Sequence, residues 1–363
     1  MKTYRVGIVG LGRMGSTIDD EGHTPLPYSI AAATRASARL ELAAGCDLEA
    51  DKRRAFGERW GVRALYADFR EMVARERPDL VAICTTATGL AKPGSQCPDA
   101  AFRGDAHAEL AVALAELEVP MLYVEKAMAC SMARADEIRA AVHRRGTVFN
   151  TGVLRRFDNR YDVVRDAVLG TGPDGIARIG QPRAAVHFAP ASLMHAHIHS
   201  IDTLSWLLGD PAITHVRGEL LPRDTVVEGG CVPRDPQALY HLRFASGAEA
   251  WTVPGGYWEF EVLGTEGAVR SLNNGAGAAL RQPAAEGRGW QEVPLPPVEP
   301  VSPVVVCLED LVQAHETGRP TRGPVDVTHH LTEACLAVAE SHRRGGAWVE
   351  LPGIDRDLYV FHV

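Results

Sequence analysis

An apolar run at residues 4–9 that breaks into Gly10-Leu11-Gly12-Arg13-Met14-Gly15 constrains this chain more than any other feature. A continuous apolar stretch of that length suits a parallel strand covered on both faces. Glycines at the first, third and sixth positions of the turn let the backbone approach a pyrophosphate, whose charge is met by free N–H groups at a helix start. Alone the pattern is weak, so its context decides. A second apolar run at residues 40–46 closes on Asp47, an acid placed to accept from ribose hydroxyls and to repel a 2'-phosphate. The reading is a dinucleotide site built on Gly10, Gly12, Arg13, Met14, Gly15 and Asp47, with NAD favoured and NADP possible.

Asp47 stands 32 residues beyond Gly15, where roughly 20 is usual. The excess is an insertion at about 16–36. Its Pro25 and Pro27 forbid one regular helix, so the helix after the glycines is expected to be broken. A third buried strand at 79–85 ends on Thr85 and Thr86, and a fourth, at 120–124, ends on Glu125 and Lys126. Ligands of doubly wound sheets lie beyond the carboxyl ends of the strands, which makes these residues cofactor-facing. Between them, residues 87–105 are rich in Gly, Pro and polar residues and read as a long surface loop, a lid or a subunit contact.

Past residue 200 the pattern changes. Alternating segments at 239–245, 248–253, 258–263 and 267–272 read as an antiparallel sheet. The expected fold is α/β: an N-terminal Rossmann doubly wound parallel sheet over 1–152, then a C-terminal α+β domain over 153–363 with a large, mostly antiparallel open sheet. Trp251, Tyr257 and Trp258 either line a cleft or pack the sheet. The apolar-aromatic stretch at 358–363 is expected to dock on a partner subunit.

A net charge of −8 argues against nucleic acid or an anionic membrane as partner and leaves a small molecule. Seven scattered cysteines without a C-x-x-C pair argue against a zinc or redox motif and for reduced thiols in the cytoplasm. The N-terminal apolar run is too short for a signal or a membrane span.

Glu125-Lys126-Ala127, the stretch Thr151-Gly152 to Arg155-Arg156-Phe157-Asp158, and His195-Ala196-His197-Ile198-His199-Ser200-Ile201-Asp202 together resemble the glucose-fructose oxidoreductase, inositol dehydrogenase and MocA (Gfo/Idh/MocA) family of NAD(P)-dependent oxidoreductases. That family's pattern is the glycine turn, a Glu-Lys-Pro at the end of the fifth strand, and Asp-x-Gly-x-His-x-x-Asp. Gly264-Thr265-Glu266-Gly267 and Glu350-Leu351-Pro352 extend the similarity over nearly the whole chain. The resemblance implies hydride transfer between a nicotinamide and a secondary alcohol or ketone of a sugar, cyclitol or related polyol. It also implies a homo-oligomer, a dimer or tetramer. Lys126 and His199 would be catalytic, with His195 beside them; Lys126, Arg156, His195, His199 and Asp202 would hold the substrate.

The departures are Ala127 for the family proline, His195 for its aspartate and His197 for its glycine. Without the proline, the loop after Lys126 is expected to be looser. On a helix His195, His199 and Asp202 form one stripe, while His197 points roughly 160° away from His199. A second histidine lowers the apparent pKa of the pair, and Asp202 is expected to oppose that shift. On a strand the three histidines would instead share a face and could hold a metal; the helical reading is preferred and no metal is assigned. Two other functions stay open: a redox-neutral enzyme with tightly bound NAD that epimerises, eliminates or cleaves glycosides by transient oxidation, and a non-catalytic cofactor-binding regulatory protein.

Overall fold

In the computed structural model, residues 2–90 and 96–362 are described. The chain builds two sheets. The first has the parallel strands β1 (Tyr4–Val9), β2 (Leu40–Cys46), β3 (Leu65–Tyr66), β4 (Leu80–Ile83), β5 (Met121–Val124) and β6 (Val148–Thr151) in the order β3-β2-β1-β4-β5-β6. The order reverses between β1 and β4, and a crevice opens there at the strands' carboxyl ends. Its helices are α1 (Ile30–Ala36), α2 (Ala50–Trp60), α3 (Phe69–Glu76), α4 (Ala106–Glu116) and α5 (Met132–Arg145). β4 and β5 are buried at every residue, which explains their unbroken apolar runs.

After α6 (Asn159–Leu169) come β7 (Pro182–Phe188), α7 (Ile198–Leu207), β8 (Ile213–Leu221), β9 (Cys231–Val232), β10 (Gln237–Phe244) and β11 (Glu249–Val253). They are followed by β12 (Glu259–Gly264), β13 (Ala268–Leu272), β14 (Gly277–Pro283), β15 (Trp290–Val293), α8 (Pro303–Thr317), α9 (Val325–Arg343), β16 (Val349–Glu350) and β17 (Tyr359–Val360). Nine of these strands form the second sheet, β15-β14-β13-β12-β7-β11-β10-β8-β16, antiparallel except where β7 meets β11. One apolar core runs from Val81 and Val124 through α5 and α9 to Val216 and Val262, so the two sheets share their interior. α8 follows the second sheet in sequence, yet its Val304, Cys307, Leu308 and Leu311 pack with Val6, Ile8 and Tyr123 on the far face of the first. Among the described residues no helix is long and apolar enough to cross a membrane.

The insertion breaks the helix after the glycines as its prolines require. A π-helical turn (Arg13–Thr17) and a 3-10 turn (Ile18–Glu21) give way to a loop, and α1 starts only at Ile30, capped by Ser29. The Asp19 carboxylate accepts from the backbone N–H of Tyr28 and Ser29 and folds that loop back on the turn.

Two expectations are corrected here and one open reading is resolved. Residues 358–362 are buried within their own chain, against Ala87, Cys130 and Cys231, rather than presented to a partner. Trp251 stacks on His241 within the second sheet, Tyr257 is largely exposed, and Trp258 lies under the Arg155 guanidinium; none borders the cleft described below. The loop at 87–105 is a surface loop only in part, because Ala87, Thr88 and Asp105 are buried and Cys97 and Arg103 bond to Pro233 and Gly229. Residues 91–95 of that loop lie outside the described residues.

Arg156 and Asp202, expected on the substrate, are structural. Arg156 is 0% exposed. Its guanidinium donates to Asp202 Oδ1 at 2.8 and 3.0 Å, to both oxygens of Asp210 at 2.7 and 2.9 Å, and to the Arg322 carbonyl at 3.2 Å. Burial pushes the guanidinium toward neutrality, and the two carboxylates more than reverse it, leaving the group above its ordinary value. The network ties the turn after β6 to α7 and to the segment before α9. Taking away its cation leaves the buried Asp202 and the half-buried Asp210 without that partner, so Arg156→Met should lose about 3–5 kcal/mol of stability in urea unfolding.

Candidate active site

The carboxyl ends of β1, β2, β4 and β5 open into a cleft of about 1670 Å³, larger than the roughly 300–1,000 Å³ of a single small-ligand pocket. It has room for a dinucleotide and a second molecule. At one end lies the glycine turn. Gly10 has φ +91°, and a Cβ there would come within 2.6 Å of the Cys84 carbonyl carbon. A Cβ on Gly15 would meet the Gly10 oxygen at 2.1 Å, so Gly15 keeps the turn tight and does not itself border the cleft. Gly12 has open space in front of it, and Arg13 and Met14 line the same wall. The first turn beyond supplies N–H groups without intrahelical partners. This is a cradle shaped for a phosphate.

Asp47 closes β2 as expected. Its Oδ2 accepts from Leu11 N and its Oδ1 from Glu49 N, both at 2.9 Å, which fixes the carboxylate on the cleft wall at the end of β2. Leu48, 89% exposed, offers an uncovered apolar surface there. Arg53, which could have served a 2'-phosphate, instead donates to the carbonyls of Asp47 and Leu48. Arg13 is held by a bidentate pair with Glu21 from the insertion. Thr85 and Thr86 line the cleft at the end of β4, and Thr85 Oγ1 is buried with no protein partner. These residues fit a nicotinamide dinucleotide lying from Asp47 across the turn to Thr85.

Beyond β5, Glu125 and Lys126 diverge. Glu125 turns inward, accepting from the Tyr123 hydroxyl and from Lys126 N. Lys126 Nζ points into the cleft and donates to His195 Nδ1 at 3.2 Å. Among the described residues no carboxylate lies within ion-pair distance of that ammonium. Burial lowers the Lys126 pKa below 10.5; Glu125 and Asp235 oppose the shift and Arg13 adds to it.

The loop after Lys126 is not loose. The Lys126–Ala127 peptide is cis. Residues 127–132 are all buried. Ala127 O lies 2.7 Å from His107 Nδ1, whose other ring nitrogen meets Thr85 O at 3.0 Å. Asp105, the N-cap of α4, takes Cys130 N. Tertiary hydrogen bonds do here what a proline ring would have done locally.

His195 and His199 face the cleft from a π-helical turn (Leu193–His197) that runs into α7. His197 points away, as the helical reading requires, and is buried against Ala238 O, Ser200 and Tyr240. The helix removes the shared face that a metal reading needs. Burial, reinforced by Lys126 and Arg13, pushes His195 down to about 4. Burial also pushes His199 well below 6.5, reinforced by Lys126, Arg155, His195 and His362. Both rings are therefore neutral near pH 7, and His195, accepting at Nδ1, carries its proton on Nε2. The lowering expected from a second histidine is present, but burial leads it. Asp202 does not oppose it, because its charge is spent on Arg156. His199 Nδ1 is buried without a protein partner.

Sequence reasoning missed His362, which lines the cleft from beyond β17, and His107. It also missed the outer wall made by His23, Thr24, Pro25, Leu26 and Tyr28 of the insertion. Only the insertion left a local signal, its excess length. His362 and His107 reach the site through pairings between distant segments.

Residues 4–153 match the model of the oxidoreductase family with an NAD-binding Rossmann fold. The chain is 25% identical to the myo-inositol 2-dehydrogenase of Thermotoga maritima over 284 residues, 74% of this chain and 75% of that one. The aldose-aldose oxidoreductase of Caulobacter crescentus superposes with a TM-score of 0.71 at 20% identity, over 96% of this chain and 100% of that one. GenD2 of gentamicin A biosynthesis, solved with NAD, does so with a TM-score of 0.69 at 21% identity, over 97% of each chain. At such identities the two structures speak for the fold. The family match over residues 4–153, the glycine cradle and Asp47 together make the first domain similar to the NAD-binding domain of the Gfo/Idh/MocA oxidoreductases.

Proposed function

We propose that the protein interconverts a secondary alcohol and the matching ketone on a sugar, cyclitol or related polyol. What carries this reading is the place of Lys126: an ammonium without a carboxylate partner among the described residues, beside two neutral histidines, in the same cleft as the dinucleotide cradle. A structural lysine would be neutralised by a nearby acid, and this one is not.

The bound dinucleotide supplies the hydride acceptor or donor. Everything else falls to the chain. An ammonium has three N–H donors, and with one on His195 the others are free for the substrate oxygen. That contact orients the carbinol and stabilises the negative charge that grows on oxygen as the hydroxyl proton departs. His199, neutral, takes the proton in oxidation and returns it in reduction. Glu125, turned toward Tyr123, keeps its charge off the reacting oxygen. Arg160, Asn274 and the insertion residue Tyr28 line the open side of the cleft and are suited to a substrate rich in hydroxyls. The open face of the second sheet, where Trp251 and Trp348 flank His241, is the surface on which this reading places contact between copies of the chain.

The test is a panel of sugars and cyclitols with NAD, followed at the reduced-nicotinamide absorbance. Net reduction of NAD supports the reading; turnover without net cofactor change would replace it with a redox-neutral one. Lys126→Ala should lower the rate about 10²-fold or more, and an unchanged rate would remove Lys126 from the chemistry. For His195→Asp the sign follows from charge. A carboxylate at that position favours both the Lys126 ammonium and the His199 imidazolium, so both pKa values rise and the pH–rate profile moves to higher pH. Superimposable profiles would show that His195 does not communicate with the pair. At the other end of the cleft, Asp47→Asn should weaken NADH binding on the order of tenfold and narrow the gap to NADPH, read by fluorescence titration.

A further inference from the structure

Strand pairing brings two segments behind Lys126 that no sequence pattern connects. β17 runs parallel to β9, with Tyr359 opposite Cys231 and Val360 opposite Val232. Phe361 N donates to Val232 O at 3.0 Å. On the other side, Val360 N donates at 3.0 Å to the carbonyl of Cys130, in the buried loop that follows Lys126. β17 is thus laced to the lysine loop and to β9 at once. Parallel neighbours leave their sheet at the same edge, so Asp235 and His362, a short step beyond Val232 and Val360, emerge together.

At that edge one carboxylate serves several groups. Asp235 Oδ1 accepts from Met194 N and Oδ2 from His195 N, both at 2.7 Å, which anchors the turn that carries His195. The same Oδ2 lies 3.7 Å from His362 Nδ1. The His362 ring, 3% exposed, meets the His195 ring with centroids 5.5 Å apart and planes at 64°. The titratable groups facing His362 are Lys126, His195, His199, His107 and Asp235. Those facing Lys126 are Glu125, Asp235, Arg13, His195, His199 and His362. With Glu125 committed to Tyr123, Asp235 is the anion on the histidine side of the ammonium.

We propose that Asp235 and His362 are positioning residues for the Lys126–His195 pair. The carboxylate fixes the backbone under His195 and sets its charge facing the ammonium; the His362 ring braces the His195 ring so that Nδ1 meets Nζ. This rests on reading Lys126 as the ligand of the substrate oxygen. A carboxylate that only capped the turn at Met194 would need no imidazole sealed against it, and an imidazole that only filled space would not face the cleft.

The measurement needs no substrate. Acetic anhydride labels an amine only in its neutral form, so the pH dependence of labelling at Lys126, read by peptide mass spectrometry on the full chain, reports the proton affinity of that one group. Asp235→Asn removes the anion. His362→Gln fills similar space without the imidazole. In both the labelling midpoint should fall by about 0.5 pH units or more, because losing a facing anion or a well-placed acceptor disfavours the ammonium. Labelling of the surface lysine Lys52 and the circular dichroism spectrum should match wild type. Midpoints that coincide with wild type in the folded variants overturn the proposal. If Asp235→Asn unfolds, His362→Gln alone decides. Shifted midpoints in a protein that turns over no polyol would sink the substrate reading and keep the positioning roles; polyol turnover with coincident midpoints would do the reverse.

Discussion

An ammonium held at the end of a buried parallel strand is the constraint around which this molecule is arranged. β5 has no exposed residue, so whatever follows Val124 starts from the interior. A lysine there must reach the cleft or give up its charge, because removing an ammonium from water costs far more than a neighbouring dipole returns. The chain keeps the charge and spreads the compensation. Glu125 and Asp235 act on it from beyond contact distance, a neutral His195 takes one N–H, and the remaining donors face the open cleft.

Much of this site was legible because it is local. The glycine turn, Asp47, Thr85, Thr86 and Lys126 each stand at the end of an apolar run, and a parallel sheet sends every strand's carboxyl end to one edge. The stripe through His195 and His199 followed from helical periodicity. Arg156 was misread for a physical reason. An arginine in a turn beside the cleft has the same sequence signature whether it binds a ligand or two internal carboxylates, and Asp210, the second of those, lies past the end of α7. Ala127 was misread likewise. Loss of a proline says that φ is no longer fixed by a ring, and says nothing of His107 and Asp105 arriving from α4 to fix the loop by hydrogen bonds.

The insertion shows the border between the two kinds of information. Pro25 and Pro27 broke the helix visibly. That Asp19 would draw Tyr28 and Ser29 back over the turn, and make the loop a wall of the cleft, depends on a carboxylate meeting two N–H groups nine and ten residues later. The same segment donates Glu21 to Arg13, so one insertion both narrows the cleft and holds a cation at its phosphate end.

The histidine at 195 is best understood together with Asp235. In the pattern this chain resembles, an aspartate stands at that position. Here the neighbour is a neutral imidazole, and the carboxylate sits one layer back, bonded to the backbone of the residue that replaced it. Coulomb attraction falls with distance and with intervening polar groups, so a carboxylate moved back stabilises the ammonium less. Burial then weighs more heavily, which agrees with the lowered pKa of Lys126 and the neutral state of both cleft histidines. A site arranged this way gives up a proton more readily than one with the acid in contact. Moving the carboxylate back leaves the charge in the site while loosening its hold on the Lys126 ammonium.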